Sequence, residues 1–241
     1  MLMFPEMDQS YLAKDAKRAE KVRELFDSIA PRYDLINDLQ SFWLHRRWKR
    51  RLVQLAGIKS GQRALDLCCG TGDIALALAG QGAKVTAMDF SEAMLKIAEQ
   101  RRGDADIEYR TGDALSTGEP EAHYDCVTIA YGLRNLSEFE RGLAEMHRIT
   151  KPGGKLLVLD FGKPPSCLVR FWYLGYLKWM VPCFGRIFCR DAPAYAYIHE
   201  SLEDYPAQIG IESAMENLGC EKIKTHNLFL GTMAINVGVK M

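Results

Sequence analysis

The chain has 241 residues, and its 31 lysines and arginines are balanced by 31 aspartates and glutamates. That length suits one large domain, or one domain with an appended piece, and the ordinary apolar and charged shares exclude a disordered polymer. A net charge of zero gives no global field for nucleic acid. The seven cysteines, odd in number and without a C-x-x-C pair, point to reduced thiols in a cytoplasmic compartment.

In chain order, the N-terminus shows no apolar stretch long enough for a secretory signal. Nowhere do eighteen uncharged apolar residues run together, so no membrane span is expected. Residues 15–29 carry Val22, Leu25, Phe26 and Ile29 on one helical face, and residues 41–56 carry Leu44, Trp48, Leu52 and Leu55 likewise. Between them, Pro31-Arg32-Tyr33-Asp34 reads as a break. Strand candidates follow at 63–67, 84–88, 107–110, 125–130 and 155–161, with helices at 74–79, 92–101 and 138–149. This βαβ rhythm predicts a mostly parallel sheet covered by helices on both faces. Lys151-Pro152-Gly153-Gly154 reads as a turn that ends a helix and launches the fifth strand. The rhythm stops over 163–205, an aromatic, proline-rich and cysteine-rich stretch, and resumes with a helix at 209–218 and strands at 220–228 and 233–239. The expected organisation is a helical preface over 1–60, followed by a ligand-binding domain over 61–241 with an aromatic insertion at 163–205.

After the first strand, Gly70, Gly72 and Ala75 fit G-x-G-x-x-A. Glycines there let backbone N–H groups approach a ligand, and Asp89 at the end of the second strand suits two ribose hydroxyls. Both features fit a dinucleotide and S-adenosylmethionine equally. Asp66, four residues before Gly70, would repel a pyrophosphate but face an ammonium group. Thr111-Gly112-Asp113-Ala114 places a further carboxylate at the end of the third strand, where an adenine amino group can donate. Asp66-x-x-x-Gly70-x-Gly72, Asp89, Asp113 and Lys151-Pro152-Gly153-Gly154 together resemble a class I S-adenosylmethionine-dependent methyltransferase. The resemblance implies a Rossmann-like α/β fold with a seven-stranded sheet. It also implies S-adenosylmethionine held by Asp66, Gly70, Thr71, Gly72, Asp89, Asp113 and Ala114.

A narrower likeness covers nearly the whole chain. Tyr33-Asp34-Leu35-Ile36-Asn37-Asp38 with Ser41-x-x-x-His45-x-x-Trp48 is similar to the N-terminal signature of the menaquinone/ubiquinone C-methyltransferases. Asp125-x-x-x-Ile129-x-x-Gly132-Leu133-Arg134-Asn135 and Asp191-Ala192-x-x-Tyr195-x-Tyr197-x-x-x-Ser201 continue it. Within that pattern Ala130 replaces a frequent serine, Asp160 a glutamate and Asn236 a histidine. The resemblance implies methyl transfer to a ring carbon of a polyprenylated quinol without a metal. Arg134 and Asn135 would steady a developing phenolate, Tyr33 would bond cofactor or substrate, and His199 would accept the proton. His45 is expected to hold the preface in place. Alternatives are O- or N-methylation of another small hydrophobic acceptor, or a silent scaffold of the same fold. A prenylated acceptor also implies transient contact with a membrane surface. Residues 171–180, flanked by Arg170, Lys178, Arg186 and Arg190, and the basic run 45–51 are the segments suited to it. A second copy of the chain is a further candidate partner.

Overall fold

The computed structural model describes residues 16–180, 202 and 205–241. His199, Cys183, Cys189, Arg186, Arg190 and the motif from Asp191 to Ser201 lie outside the described residues.

Seven strands form one sheet: β1 (Arg63–Leu67), β2 (Lys84–Asp89), β3 (Ile107–Thr111), β4 (Tyr124–Ala130), β5 (Thr150–Phe161), β6 (Cys220–Leu228) and β7 (Met233–Lys240). Their order is β3-β2-β1-β4-β5-β7-β6. Strands β1 to β5 pair in parallel, while β7 runs antiparallel to both β5 and β6. The central strands read as unbroken apolar runs because both faces are covered. Leu65, Leu67, Val127, Ile129, Leu156 and Val158 point into one core layer, whereas Ala64, Cys126, Leu157 and Leu159 point into the other. The order reverses between β1 and β4, which pair as far as Leu67 and Ile129. Sheets of this type bind ligands beyond the carboxyl ends of their strands at such a reversal.

Helices α1 (Ala16–Ile29), α2 (Tyr33–Gln40) and α3 (Leu44–Ala56) form the preface, followed by α4 (Asp73–Ala79), α5 (Glu92–Arg101), α6 (Phe139–Ile149), α7 (Cys167–Gly175) and α8 (Ala207–Asn217). Three details depart from the sequence expectation. The expected break at Pro31 is only a 3-10 turn, Ala30–Arg32, and Tyr33 already opens α2. Proline fits that turn because first-turn N–H groups have no intrahelical partner. Helix α3 starts at Leu44 rather than Ser41, since Phe42 and Trp43 adopt left-handed φ values of 50° and 61°. Finally, β5 begins at Thr150, so Lys151–Gly154 is a bulge inside a strand rather than a turn before one. Thr150 pairs with Tyr124 and Lys155 with Cys126, so the extra residues loop out between them. Within the aromatic stretch, α7 runs into a π-helical turn, Tyr176–Met180.

Candidate cofactor and acceptor cavities

The turn after β1 is built on backbone. Gly70 has φ +54°, and its N–H donates to Asp89 Oδ2 at 2.7 Å. A side chain at that φ would be strained, and the bond ties the glycine corner to the end of β2. Ser91 N–H donates to Asp89 Oδ1 at 2.9 Å. Burial pushes the Asp89 carboxyl up, and these backbone donors oppose the shift. Asp113, past the end of β3, accepts from Leu115 N–H at 2.8 Å. With Ala114, Cys68 and the α1 residues Val22, Arg23 and Phe26, these groups enclose a cavity of about 490 Å³.

Of the seven residues expected to hold the cofactor, Gly70, Asp89, Asp113 and Ala114 line that cavity. Asp66, Thr71 and Gly72 do not line it. Asp66 is 1% exposed and accepts from Thr128 Oγ1 at 2.8 Å, while its Oδ2 is buried without a hydrogen-bond partner among the described residues. Burial raises its carboxyl to about 7. Thr71 donates to Asp34 Oδ1 at 2.7 Å, and Gly72 caps the start of α4.

A second cavity, of about 500 Å³, adjoins the first and falls within the usual span of small-molecule sites. Its wall is largely aromatic and aliphatic. Leu25 and Ile29 come from α1, Trp48 from α3, and Trp172 and Tyr173 from α7. Phe229 and Leu230 come from the β6–β7 connection. Tyr173 and Tyr176 are fixed through their hydroxyls, which donate to Thr232 O at 3.2 Å and Gln40 O at 2.6 Å. Phe26, Tyr33, Tyr131 and Asn135 line both cavities.

Arg134 and Asn135 follow β4 in a 3-10 turn, Leu133–Asn135. The Arg134 guanidinium is buried on the second cavity's wall, donating to Asp160 Oδ1 at 3.0 Å and Tyr131 O at 2.8 Å. It lies 4.5 Å from the centre of the Phe161 ring. Asn135 Nδ2 donates to Tyr131 O at 3.2 Å. Tyr33 stands where the cavities meet, its hydroxyl pushed up by burial. His45, on the second cavity's wall, bonds through Nε2 to Asp38 Oδ1 at 2.9 Å and so ties α3 to α2.

Sequence reasoning missed Tyr131, Asp160 and the Asp38–His45 pair. Tyr131 has φ +59°, an unusual backbone for tyrosine. Asp160 was visible only as a replaced glutamate. Asp38 and His45 belong to different helices, so no periodicity could join them.

Comparison with known proteins agrees with this geometry. Residues 13–240 match the profile of the ubiE/COQ5 methyltransferase family. The ubiquinone/menaquinone biosynthesis C-methyltransferase UbiE of Pseudomonas fluorescens (strain Pf0-1) is 39% identical over 233 residues, spanning 94% of this chain and 91% of that protein. The enzyme of the same name from Pseudomonas putida (strain GB-1) is equally similar over the same shares. Among solved structures, magnesium protoporphyrin IX methyltransferase from Synechocystis PCC 6803, with bound SAH, superposes with a TM-score of 0.67. It is 17% identical, over 92% of this chain and all of that one. A SAM-dependent methyltransferase from Thermotoga maritima, described as a possible histamine N-methyltransferase, gives 0.64 at 18% identity, over 91% of this chain and all of that one. At such identities these likenesses speak for the fold alone.

Proposed function

The chain belongs to the ubiE/COQ5 methyltransferase family, and from that membership and the paired cavities we propose how its residues divide the methylation of a polyprenylated quinol. It is an S-adenosylmethionine-dependent C-methyltransferase of quinone biosynthesis. The observation that carries the reading is the shared wall: Phe26, Tyr33, Tyr131 and Asn135 border a carboxylate-bearing cavity on one side and an apolar one on the other.

The first cavity fits S-adenosylmethionine in donor chemistry. Asp89 suits the ribose hydroxyls, Asp113 suits the adenine amino group, and Gly70 and Ala114 let the ligand lie against backbone. Carboxylates on that wall also suit a ligand bearing sulfonium and ammonium charges. Bound there, S-adenosylmethionine supplies an electrophilic methyl group. Asp66, Thr71 and Gly72 act one layer back, where they hold the corner's shape. In the second cavity, Arg134 and Asn135 steady negative charge on the acceptor oxygen, and Asp160 holds the guanidinium in place. Tyr33 and Tyr131 keep the two reactants in line and exclude water.

The mouth of the acceptor cavity supports docking on a bilayer from the cytoplasmic side. Phe42, Trp172, Phe229 and Leu230 line it and are each more than 60% exposed. Residues 41–51 and 163–180 around it carry eight lysines and arginines and no carboxylate; with Arg46 paired to Asp38 and Lys49 to Asp73, the positive excess that remains suits anionic lipid. No helix among the described residues is long and apolar enough to cross a membrane.

The deciding experiment is transfer of radiolabelled methyl to reduced demethylmenaquinol and to the corresponding benzoquinol, side by side in detergent. The expected result is label on a ring carbon of at least one. Label on oxygen, or none on either while S-adenosylmethionine still binds, would refute the quinol reading.

A further inference from the structure

Among the described residues, Gln40 Nε2, His45 Nδ1 and Tyr131 Oη, all from side chains on the acceptor cavity's wall, are buried with no hydrogen-bond partner. Buried polar groups are almost always bonded, so a cluster of orphans in one apolar wall needs a cause. A ligand carrying oxygen is the simplest one. His45 stands apart from the other two because its second nitrogen is already committed.

Nε2 lies 2.9 Å from Asp38 Oδ1, and Asp38 is itself gripped by Arg46, Nε to Oδ1 and Nη2 to Oδ2, each at 2.6 Å. The Arg46 bonds hold the Asp38 carboxyl below its ordinary range. An ionised carboxylate only accepts, so the proton sits on Nε2 and the lone pair is left on Nδ1. His45 is 4% exposed. The charged groups acting on it are Asp38 from α2, Lys49 from its own helix and Asp73 from α4. Tyr33, Tyr131 and Arg134 share the cavity wall with it. Burial, joined by Lys49, lowers the imidazole below its ordinary value and keeps it neutral at rest, while Asp38 favours the cation once a proton arrives. A neutral imidazole backed by a fixed carboxylate is the arrangement of a general base.

We propose that His45, oriented by Asp38, takes the hydroxyl proton from the aromatic acceptor. The inference rests on the quinol reading above. The acceptor's O–H bond breaks with its electron pair left on oxygen, and a new N–H bond forms at Nδ1. The oxygen's charge passes into the ring, whose carbon bonds to the methyl group as the methyl–sulfur pair departs with sulfur. The ring carbon then loses its own hydrogen to water as a proton, and His45 returns its proton to the oxygen. The pair ends as it began, with one proton released per methyl transferred. Asp38 touches no reacting atom and is a positioning residue.

The test is kcat against pH, at saturating quinol and S-adenosylmethionine, for the natural chain, His45→Gln and Asp38→Asn. In the natural chain kcat should fall on the acid side of a value below about 6.5. His45→Gln should lower kcat about 10²- to 10⁴-fold and erase that acid limb, with cofactor affinity within about threefold. Asp38→Asn should lower kcat and move the limb to lower pH, because the imidazolium loses its partner. A purely structural histidine would leave the limb in place, and an unchanged limb in His45→Gln, or kcat within threefold, overturns the proposal. Nitrogen NMR of the histidine-labelled natural chain keeps the test independent of variant folding. An Nδ1 that carries the resting proton also overturns it. Failure of the quinol reading would show separately, in a natural chain that methylates no quinol before any variant is compared.

Discussion

The Arg134–Asp160 pair lets the acceptor wall be tested by stability alone. Both side chains are nearly inaccessible, at 7% and 1% exposure, with Nη1 and Oδ1 3.0 Å apart. Asp160 also accepts from Arg134 N–H at 3.2 Å, Phe161 N–H at 2.8 Å and the Tyr205 hydroxyl at 3.4 Å. Asp160→Ala therefore takes the carboxylate at 3.0 Å away from a buried guanidinium and removes the acceptor for two backbone donors. Breaking a buried pair from one side costs about 3–5 kcal/mol, against about 0–1 for an exposed one. For a chain of this size that is a drop in Tm of roughly 6–20 °C.

The assay is urea unfolding without cofactor, because a bound ligand would mask the loss by mass action. Asp160→Ala should lower the midpoint strongly with little change in slope. The double variant Asp160→Ala/Arg134→Met should then be more stable than Asp160→Ala alone, by about 1–3 kcal/mol, because a buried charge that has lost its carboxylate is removed with it. A loss below about 1 kcal/mol in the single variant would refute the reasoning. So would a double variant in which the two losses simply add.

Three further outcomes follow from the geometry. A Cβ on Gly132 would sit 2.5 Å from Cys68 Cβ and 2.8 Å from its Sγ, on the cofactor cavity wall. Gly132→Ala should therefore weaken S-adenosylmethionine binding about tenfold or more by calorimetry, and Cys68→Gly, which also relieves a residue at φ +52°, should restore it. Asp66 titrates near 7 in the fold against 3.8 in the open chain, so between about pH 4 and 7 the folded state binds more protons. Stability should fall as pH rises through that window, by up to about 1.4 kcal/mol per pH unit, and Asp66→Asn should be flatter there; parallel urea-denaturation profiles would refute the assignment. Replacing Trp172 and Leu230 with serine should reduce partition onto anionic vesicles about tenfold or more in co-sedimentation, and unchanged partition would remove the docking face.

Most of the sheet was legible because its signals are local. Buried parallel strands read as short apolar runs, and glycine with aspartate at strand ends marks a turn whose work is done by backbone. What escaped was set by tertiary context. Helix α2 is eight residues long behind a proline, too short to show a period, and it is held by contacts such as Tyr176 to Gln40 O. The bulge at Lys151–Gly154 lies within a ladder whose register is fixed by β4. Acceptor-wall residues come from segments around 25–48, 131–161, 169–177 and 229–233, and no single segment carries a pattern that announces the cavity.

The preface explains why the two sites were unequally legible. Its apolar residues join the core, Leu25, Ile29 and Ile36 in one layer and Leu52 and Val53 in the other, and polar bonds fix its position: Asp34 accepts from Thr71 Oγ1 at 2.7 Å and from Arg101 at 3.1 Å. Lys49 donates to Asp73 at 2.8 Å, and Ser91 Oγ to Asp27 at 2.5 Å. Each bond joins a preface helix to the glycine corner or to the start or end of the helices beside it. The same helices place Phe26 and Tyr33 between the cavities and Trp48 and His45 on the acceptor side. One set of latches therefore completes both sites together. Half of the cofactor site is still written in the turn after β1, where spacing reveals it. The acceptor site exists only once the preface has docked, and docking is a property of partners far apart in the chain.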